Sequence, residues 1–417
     1  MKKITTLALI ASLIAMPAFA DNDDKDAALT EETETEFASD EKLEDGFITS
    51  YINDAIASSM ESASAKKDDP VLGRKLTDFA SAPKFGGYFI GKYNYTDHPK
   101  QELNGGFSQR LIRLYVDGTI LNDFAYRIQM QNNNNNFHMK DFFVEWKRYQ
   151  EVKVKIGQFK RAFGFENPMN PWDVGTGDYS QLTKKLTGHN DYIGAESSSN
   201  GGRDQGVQIQ GDLFPIGKDK HRLVHYQLML ANGQGINVSD NNNKKDYIGT
   251  FQLQPIKGLF IGAFGWLGNF TSTLNITDSK GKTTNQAVTV DRIRYMLSAK
   301  YDNHDWTFRA EYAHSYGHKI SEYNAVTKIF SGNGKADAWY ATVGIPCTSW
   351  LKVYGKYDVY RDGASWKKAQ TIYSIAPNIQ IHKNLMLQLQ YNFTHDRTLT
   401  GSRHDYNEVW AETYVRF

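Results

Sequence analysis

The chain has 417 residues, of which 23% are charged, 40% hydrophobic and 13% aromatic, with one cysteine and a formal net charge of +1. One cysteine excludes an intrachain disulfide framework, and no apolar run beyond residue 20 is long enough for a membrane-spanning helix. The near-neutral total hides an asymmetry: residues 21–80 hold 17 acidic and 6 basic residues, net −11, which leaves +10 on residues 81–417 once the two lysines near the start are counted.

Met1 to Ala20, MKKITTLALIASLIAMPAFA, has two lysines, a short apolar run and an A-F-A end. That is the pattern of a secretory signal peptide, with cleavage expected after Ala20. Asp21 to about Asp45 is acidic and poor in large apolar residues, a composition that does not fold alone. Between Glu41 and Ser64, Phe47, Ile48, Tyr51, Ile52, Ala55, Ile56 and Met60 lie near helical spacing, so a helix is expected over 41–64.

From Lys84 onward the apolar period becomes two. Sixteen segments have strand character: 84–95, 107–119, 122–131, 137–148, 152–158, 203–211, 222–232, 245–255, 258–268, 289–301, 305–315, 335–345, 349–361, 367–378, 384–395 and 404–417. Most are close to the length a tilted strand needs to cross a bilayer. Alternate gaps tend to be long (96–106, 159–202, 233–244, 269–288 and 316–334 among them), and most of the others are short turns. The inner gap 212–221 is long for its side. Short turns at one end and long loops at the other are the layout of an outer-membrane barrel. In 107–119, Ile112, Leu114 and Val116 face one way and Arg113, Tyr115 and Asp117 the other. In 289–301, Ile293, Tyr295 and Leu297 oppose Arg292, Arg294 and Ser298. A soluble sandwich also alternates, but the export signal and the arginines on the polar face favour a water-filled lumen. Phe417, a terminal aromatic on the lipid-side face of the last segment, resembles the C-terminal signal of outer-membrane proteins. The expected fold is therefore all-β: a transmembrane antiparallel β-barrel of about 16 strands over 81–417, preceded by an acidic periplasmic segment, 21–80. That segment is expected beside the inner mouth, where it competes with anions, associates between subunits, or serves as a spacer.

The gap 159–202 is too long to be an idle connection. It opens from GQFKRAFGFE (Gly157 to Glu166) and carries Lys160, Arg161, Lys184, Lys185 and His189 among Trp172, Tyr179 and Tyr192. It is expected to fold into the lumen as the third outer loop and form the narrow part of a pore.

The blocks RLIRLYVDGTI (Arg110 to Ile120), MKDFFVEWK (Met139 to Lys147), KIGQFKRAFGFE (Lys155 to Glu166), GRDQGVQIQG (Gly202 to Gly211) and LANGQG (Leu230 to Gly235) resemble successive blocks of the phosphate-selective porin O and P family. The resemblance runs from about residue 84 to Phe417, is closest over 107–235, and does not cover the acidic segment. It implies a 16-stranded, usually trimeric, outer-membrane channel with an anion-preferring lumen and an inward third loop. The partners it implies are small anions such as phosphate, the outer-membrane lipid and two further copies of the chain. No cofactor and no nucleic acid are expected. A general, non-selective diffusion porin is the alternative, since members of the family include both kinds.

Arginine matches a phosphate with a bidentate fork, and lysine binds it as a point charge. Rings of such groups select anions. The candidate anion-binding residues are Lys160, Arg161, Lys184 and Lys185 from the loop, with Arg113, Arg127, Arg292, Arg294 and Arg309 from the inner face of the strands. The competing reading is that the inward bases pair across strands with the inward acids Asp117, Asp141, Glu145, Asp204, Glu311, Asp358 and Glu412, and that Lys160, Arg161, Lys184 and Lys185 are only solvated loop charges. Metal binding and catalysis have little support. His221 and His225, four apart on a strand, stand about 13 Å apart at ~3.3 Å per residue. The pairs His304–Asp305 and His314–Ser315 belong to no catalytic motif. A rim-located enzyme or an adhesin is the remaining reading.

Overall fold

The computed structural model describes residues 80–101, 105–133, 136–194, 201–277, 283–303, 305–401 and 403–417. The signal peptide, the acidic stretch as far as residue 79 and the helix expected over 41–64 lie outside the described residues. Among the described residues, sixteen antiparallel strands close into one barrel. They are β1 (Lys84–Thr96), β2 (Gly105–Ile120), β3 (Phe124–Asn133), β4 (Asn136–Trp146) and β5 (Lys153–Lys160). Next come β6 (Arg203–Ile216), β7 (His221–Ala231), β8 (Asp246–Ile256), β9 (Leu259–Thr277), β10 (Thr283–Asp302) and β11 (Thr307–Tyr316). The last are β12 (Lys335–Thr348), β13 (Leu351–Asp362), β14 (Ala369–His382), β15 (Leu385–Asp396) and β16 (Asp405–Arg416).

Each strand pairs with its neighbour in sequence, and β1 closes on β16 with Tyr88 opposite Arg416 and Thr96 opposite Glu408. Gly87 N–H donates to the Phe417 carbonyl and Phe417 N–H to that of Gly87, both at 2.9 Å. Closure leaves no free edge, which is what lets a sheet stand in hydrocarbon, where an unpaired backbone group has no water to turn to.

The period of two decides the two faces. On β10, Val288, Val290, Arg292, Arg294, Met296, Ser298 and Lys300 are buried, while Thr289, Asp291, Ile293, Tyr295, Leu297 and Ala299 between them are exposed. The inverted chemistry, guanidinium groups covered and isoleucine and leucine bare, is that of a polar lumen inside an apolar wall. Five register shifts interrupt the ladders among the described residues, and two of them bear on the lumen. One, between β1 and β2, sets Ile90 against Leu111 but Gly91 against Gln109, so Arg110 is the extra residue. The other, between β3 and β4, sets Gln129 against Asp141 but Met130 against Met139, so Lys140 is extra. An inserted residue turns a side chain that strict alternation would send outward. Here both turn a cation toward the lumen.

Three expected gaps are corrected. The outer gap 269–288 is mostly strand: β9 and β10 run on to a pairing of Thr277 with Thr283. The threonines and valines there suit a pleated surface, and Phe270, Val288 and Val290 pack with Ile193 and Ile320. The inner gap 212–221 shrinks to the turn 217–220, because β6 passes through Phe214 in a left-handed conformation (φ 58°) and continues to Ile216. The outer gap 316–334 holds a short helical turn, Ile320–Glu322, and a two-residue ladder of Tyr323–Asn324 with Ile329–Phe330.

At Gly157, φ is +132° and a Cβ would stand 2.2 Å from the Phe142 carbonyl, whereas a Cβ at Gly265 meets nothing within 4 Å. Gly157→Ala is therefore expected to lose at least about 1–3 kcal/mol and to lower the temperature at which the barrel loses its heat-modifiable gel mobility. Gly265→Ala should leave that temperature unchanged.

Candidate functional site

The chain leaves β5 at Lys160 and does not return to the wall until Arg203. Between them the described residues 161–194 and 201–202 lie inside the barrel, in the lumen. At its entrance, Arg161 N–H donates to the Gly202 carbonyl at 2.8 Å. The Arg161 guanidinium donates to Asp204 at 2.9 Å, with both side chains fully buried. Two more pairs stand beside this one. Arg292 meets Asp246 at 3.5 Å, and Arg294 grips both Asp191 oxygens at 2.6 Å while donating to the Leu186 carbonyl at 2.8 Å. All three guanidinium groups lie 4.7–4.9 Å from the ring centre of Trp266, which is fully buried and donates from its indole N–H to Asp246 at 2.7 Å. Phe163 and Phe165 of the loop pack edge-on against Trp266 and Phe264 at 5.5 and 5.4 Å.

Beyond this cluster the loop crosses to the opposite wall. The carbonyls of Asp173 and Val174 accept from Arg309 at 3.1 Å each, and that of Gly175 accepts from Asn378 and Gln388 at 3.1 and 3.0 Å. Gly177 N–H donates to Gln390, and Gln181 N–H to Asp358 at 2.8 Å. Trp172 packs on Tyr414 at 5.5 Å under the Arg416 guanidinium. Partners on β2, β6, β8, β10, β11, β13, β14, β15 and β16 can all reach one segment only from inside the cylinder.

The loop, expected only to fold into the lumen, also contains a helix. This is α1 (Gln181–Leu186). Ser180 caps it by accepting from Thr183 N–H at 3.1 Å, and Glu166 accepts from Ser180 N–H at 2.9 Å and from the Thr183 hydroxyl at 2.6 Å. A lone turn of helix is unstable in water; capping and the burial of Leu182 and Leu186 hold this one.

Cations gather on the side of the lumen formed by β1–β6. The Arg113 guanidinium donates to Gln131 at 2.6 Å and to Asn170 at 3.0 Å. Arg110 donates to Glu412 at 2.9 Å and stands 3.8 Å from Asp178, and Lys92 is 3.6 Å from Glu412. Arg203 holds Asp141 through two bonds of 2.7 and 2.8 Å. Lys160 donates to the carbonyls of Pro168 and Met169 at 2.7 and 2.6 Å. Lys140 is buried with Arg203, Arg113 and Lys160 as its cationic neighbours and Asp141 as the anionic one. Lys184 bonds to Asp178. Seven cations thus share the three carboxylates of Asp141, Asp178 and Glu412. Burial opposes the charge on Asp178, but Lys184, Arg110 and Lys92 outweigh it and hold its carboxyl well below the usual range. A depressed carboxyl contributes stability that is lost only as the pH falls through its lowered value, so this latch persists well into acid. His189 is pushed well below its ordinary value by burial and by Lys160, Arg203 and Lys140, and is neutral at pH 7. Below the loop, a cavity of about 130 Å³ is lined by Arg127, Lys155, Phe143, Phe159, Gln208 and Gln252 among others.

The nine residues singled out from sequence fall into three groups. Arg127 (to Asp117, 2.8 Å), Arg161, Arg292, Arg294 and Arg309 (to Asp302, 3.0 Å) are held by carboxylates. Arg113, Lys160 and Lys184 belong to the cationic side. Lys185 stands on the outer side of α1, where Lys184 and Lys319 and the carboxylates of Asp191 and Asp362 act on it. Sequence reasoning missed Arg110, Lys140, Arg203 and Lys92. The first two depend on bulges that alternation cannot show. Arg203 stands in the quoted GRDQG block, where strict alternation gives the inward place to Asp204.

A closed barrel with short turns at one end, long loops at the other and a loop narrowing its lumen is an outer-membrane diffusion channel, a porin. The chain belongs to the phosphate-selective porin O and P family, whose sequence profile matches residues 86–341. No curated protein sequence matches it. Among solved structures it is similar in fold to an outer-membrane protein of Vibrio cholerae, OmpT with its loop L8 deleted (12% identity, TM-score 0.56, 82% of this chain and 100% of that one). It is also similar to an anion-selective porin from Comamonas acidovorans (10% identity, TM-score 0.56, 81% and 100%). A third is the outer-membrane channel DcaP of Acinetobacter baumannii (12% identity, TM-score 0.54, 83% and 99%).

Breaking a buried ion pair by removing one partner costs about 3–5 kcal/mol, while replacing both with apolar groups is nearly neutral. Arg294→Leu alone is therefore expected to lower the thermal midpoint of the barrel and to make single-channel current noisier. Arg294→Leu combined with Asp191→Leu should recover most of the loss in both readouts.

Proposed function

We propose that this porin passes small anions, phosphate among them, along the β1–β6 side of the loop. The observation that carries the reading is the surplus of cations there: Lys92, Arg110, Arg113, Lys140, Lys160, Lys184 and Arg203 against three carboxylates. In a narrow, partly dehydrated passage such a surplus raises the local concentration of anions and repels cations. The +10 carried by residues 81–417 acts in the same direction at longer range. The family's name and the anion-selective relative support the same class of solute.

A general diffusion pore is the second reading, and one observation favours it. Arg127, Arg161, Arg292, Arg294 and Arg309 each already hold a carboxylate. A guanidinium so engaged has no free fork for phosphate. Tight phosphate binding at those arginines is therefore not part of the proposal, and any binding is assigned to the lysines and arginines of the β1–β6 side. Lys185, on the outer side of α1, is assigned to drawing anions toward the mouth. The chain is taken to be exported by its first twenty residues, to span the outer membrane by 81–417, and to assemble as a homotrimer, the form of one solved structure of the Vibrio protein.

In a potassium chloride gradient across a planar bilayer, the reversal potential should report chloride preference. Arg110→Gln with Lys140→Gln should lower the anion-to-cation permeability ratio several-fold, while Arg127→Gln with Asp117→Asn, which removes one charge of each sign, should change it little. Millimolar phosphate should reduce chloride current in the parent protein and not in the Arg110/Lys140 variant. A chloride current indifferent to phosphate in both would assign the general-diffusion reading.

A further inference from the structure

The outer loop between β11 and β12 docks on the end of the lumen loop. Ile320 N–H donates to the Ile193 carbonyl at 2.7 Å, and the Tyr192 hydroxyl donates to the Gly317 carbonyl at 3.0 Å. Ile320 also packs with Ile193, Phe270, Val288 and Val290. From the same outer loop, Asn333 reaches the loop between β13 and β14 and donates to the Gly363 carbonyl at 2.9 Å. Three loops thus meet at one joint on the β11–β14 side, away from the cation-rich β1–β6 side.

The joint encloses a cavity of about 200 Å³. A cavity of roughly 150 Å³ holds a benzene ring, so this one has room for a six-membered ring with substituents. Glycines keep it open: Gly317, Gly332, Gly334 and Gly363 line it, and a Cβ at Gly332 would collide with the Glu322 carboxylate. Its charges are balanced. Lys319 donates to Asp362 at 2.6 Å and stands 3.8 Å from Glu322, and Lys368 stands 4.0 Å from Asp362. Two ammonium groups therefore face two carboxylates. Lys335, the remaining charged residue of the lining, has its ammonium 5.8 Å from the Tyr316 ring. The side chains of Lys319, Glu322 and Asp362 are still 19–23% exposed. They keep hydrogen-bonding capacity, since an ammonium has three donors and a carboxylate about four acceptor sites. Tyr192, half-buried and tied by its hydroxyl, adds one aromatic wall.

We propose that this cavity binds one neutral pyranose sugar, with Lys319, Glu322 and Asp362 taking its hydroxyl groups and Tyr192 its C–H face. Two adjacent ring hydroxyls accept from an ammonium and donate to a carboxylate at once, so a sugar bridges an ion pair without parting it. Inorganic phosphate would meet two carboxylates, and an amino acid would have to split both pairs. An apolar ring such as benzene would leave the charged groups without partners. The walls are already tied loop to loop by hydrogen bonds, so binding has little left to order. The site is separate from the anion path and independent of the solute the pore carries.

The test uses the full-length protein in an amine-oxide detergent, which has no sugar headgroup, and saturation-transfer NMR. The probes are D-glucose, D-galactose, D-mannose and N-acetyl-D-glucosamine. At least one should receive magnetisation from the protein, and 20 mM inorganic phosphate or glycine should not displace it. Glu322→Gln with Asp362→Asn should weaken its binding about tenfold. Ser331→Trp, which fills the cavity from an exposed position and leaves every charge in place, should abolish it while single-channel chloride conductance stays as in the parent. Comparing glucose with maltotriose tells a free sugar from the end of a glycan, and either upholds the proposal. Silence of all four sugars at 50 mM overturns it without any variant, as does cyclohexanol binding as well as the sugar. Displacement by phosphate or glycine would make the cavity an ion site, and unchanged binding to the Ser331→Trp protein would place the sugar elsewhere. Either result also overturns it.

Discussion

The structure depends on carboxylates that hold arginines where water would otherwise enter. A barrel wall can be built from alternation alone, but a loop lying in its lumen cannot. Its backbone carries donors and acceptors, and its interior partners are strand side chains chosen by parity. Two buried pairs gathered on Trp266, Arg161 with Asp204 and Arg294 with Asp191, solve this for the first and last thirds of the loop, and the wall pair Arg292 with Asp246 stands beside them. Removing two charges from water is expensive and is repaid only by close geometry and further hydrogen bonds. The bidentate grip of Arg294, its extra bond to the Leu186 carbonyl and the indole face beneath it meet that condition. The value of such pairs lies more in fixing one loop conformation than in total stability.

Apolar packing completes the hold. Phe163, Phe165, Leu182 and Leu186 bury themselves against Phe264, Trp266 and Met296, forming a small core inside a lumen that is otherwise polar. The result divides the cross-section. On the β10–β13 side, loop and wall meet through this core, Arg309 and the acceptors Glu311 and Asp358. On the β1–β6 side, they meet across lysines and arginines that outnumber their counterions. The division follows from where the loop is pinned, so function here is a consequence of which side the packing left open.

Much of the wall was legible in the sequence because period two and turn length are local signals. All sixteen expected segments coincide with strands, and the parity reading of Arg292, Arg294 and Ser298 on β10 holds residue by residue. The ends were not legible where strands outlast the hydrocarbon. Thr271 to Thr277 and Thr283 to Val288 are polar enough to read as loop, yet they pair as strand because nothing in their sequence breaks the ladder. The lumen was only partly legible. Alternation shows which way Arg127 or Arg309 points, but not that Asp117 or Asp302 will reach it. Arg110 and Lys140 owe their place to bulges, which insert a residue without any marker of composition. The helix α1 is six residues long and stabilised by Glu166 and Leu186 through tertiary contacts, so no propensity window could have found it.

The central claim is that the loop segment 161–194 occupies the lumen and sets the size of the passage. Replacing residues 168–199 with a short glycine–serine linker and recording single-channel conductance in 1 M potassium chloride tests it most directly. The account predicts a barrel that still folds and conducts several-fold more current per channel. A conductance equal to that of the parent would mean that the segment does not obstruct the pore, and would contradict the account.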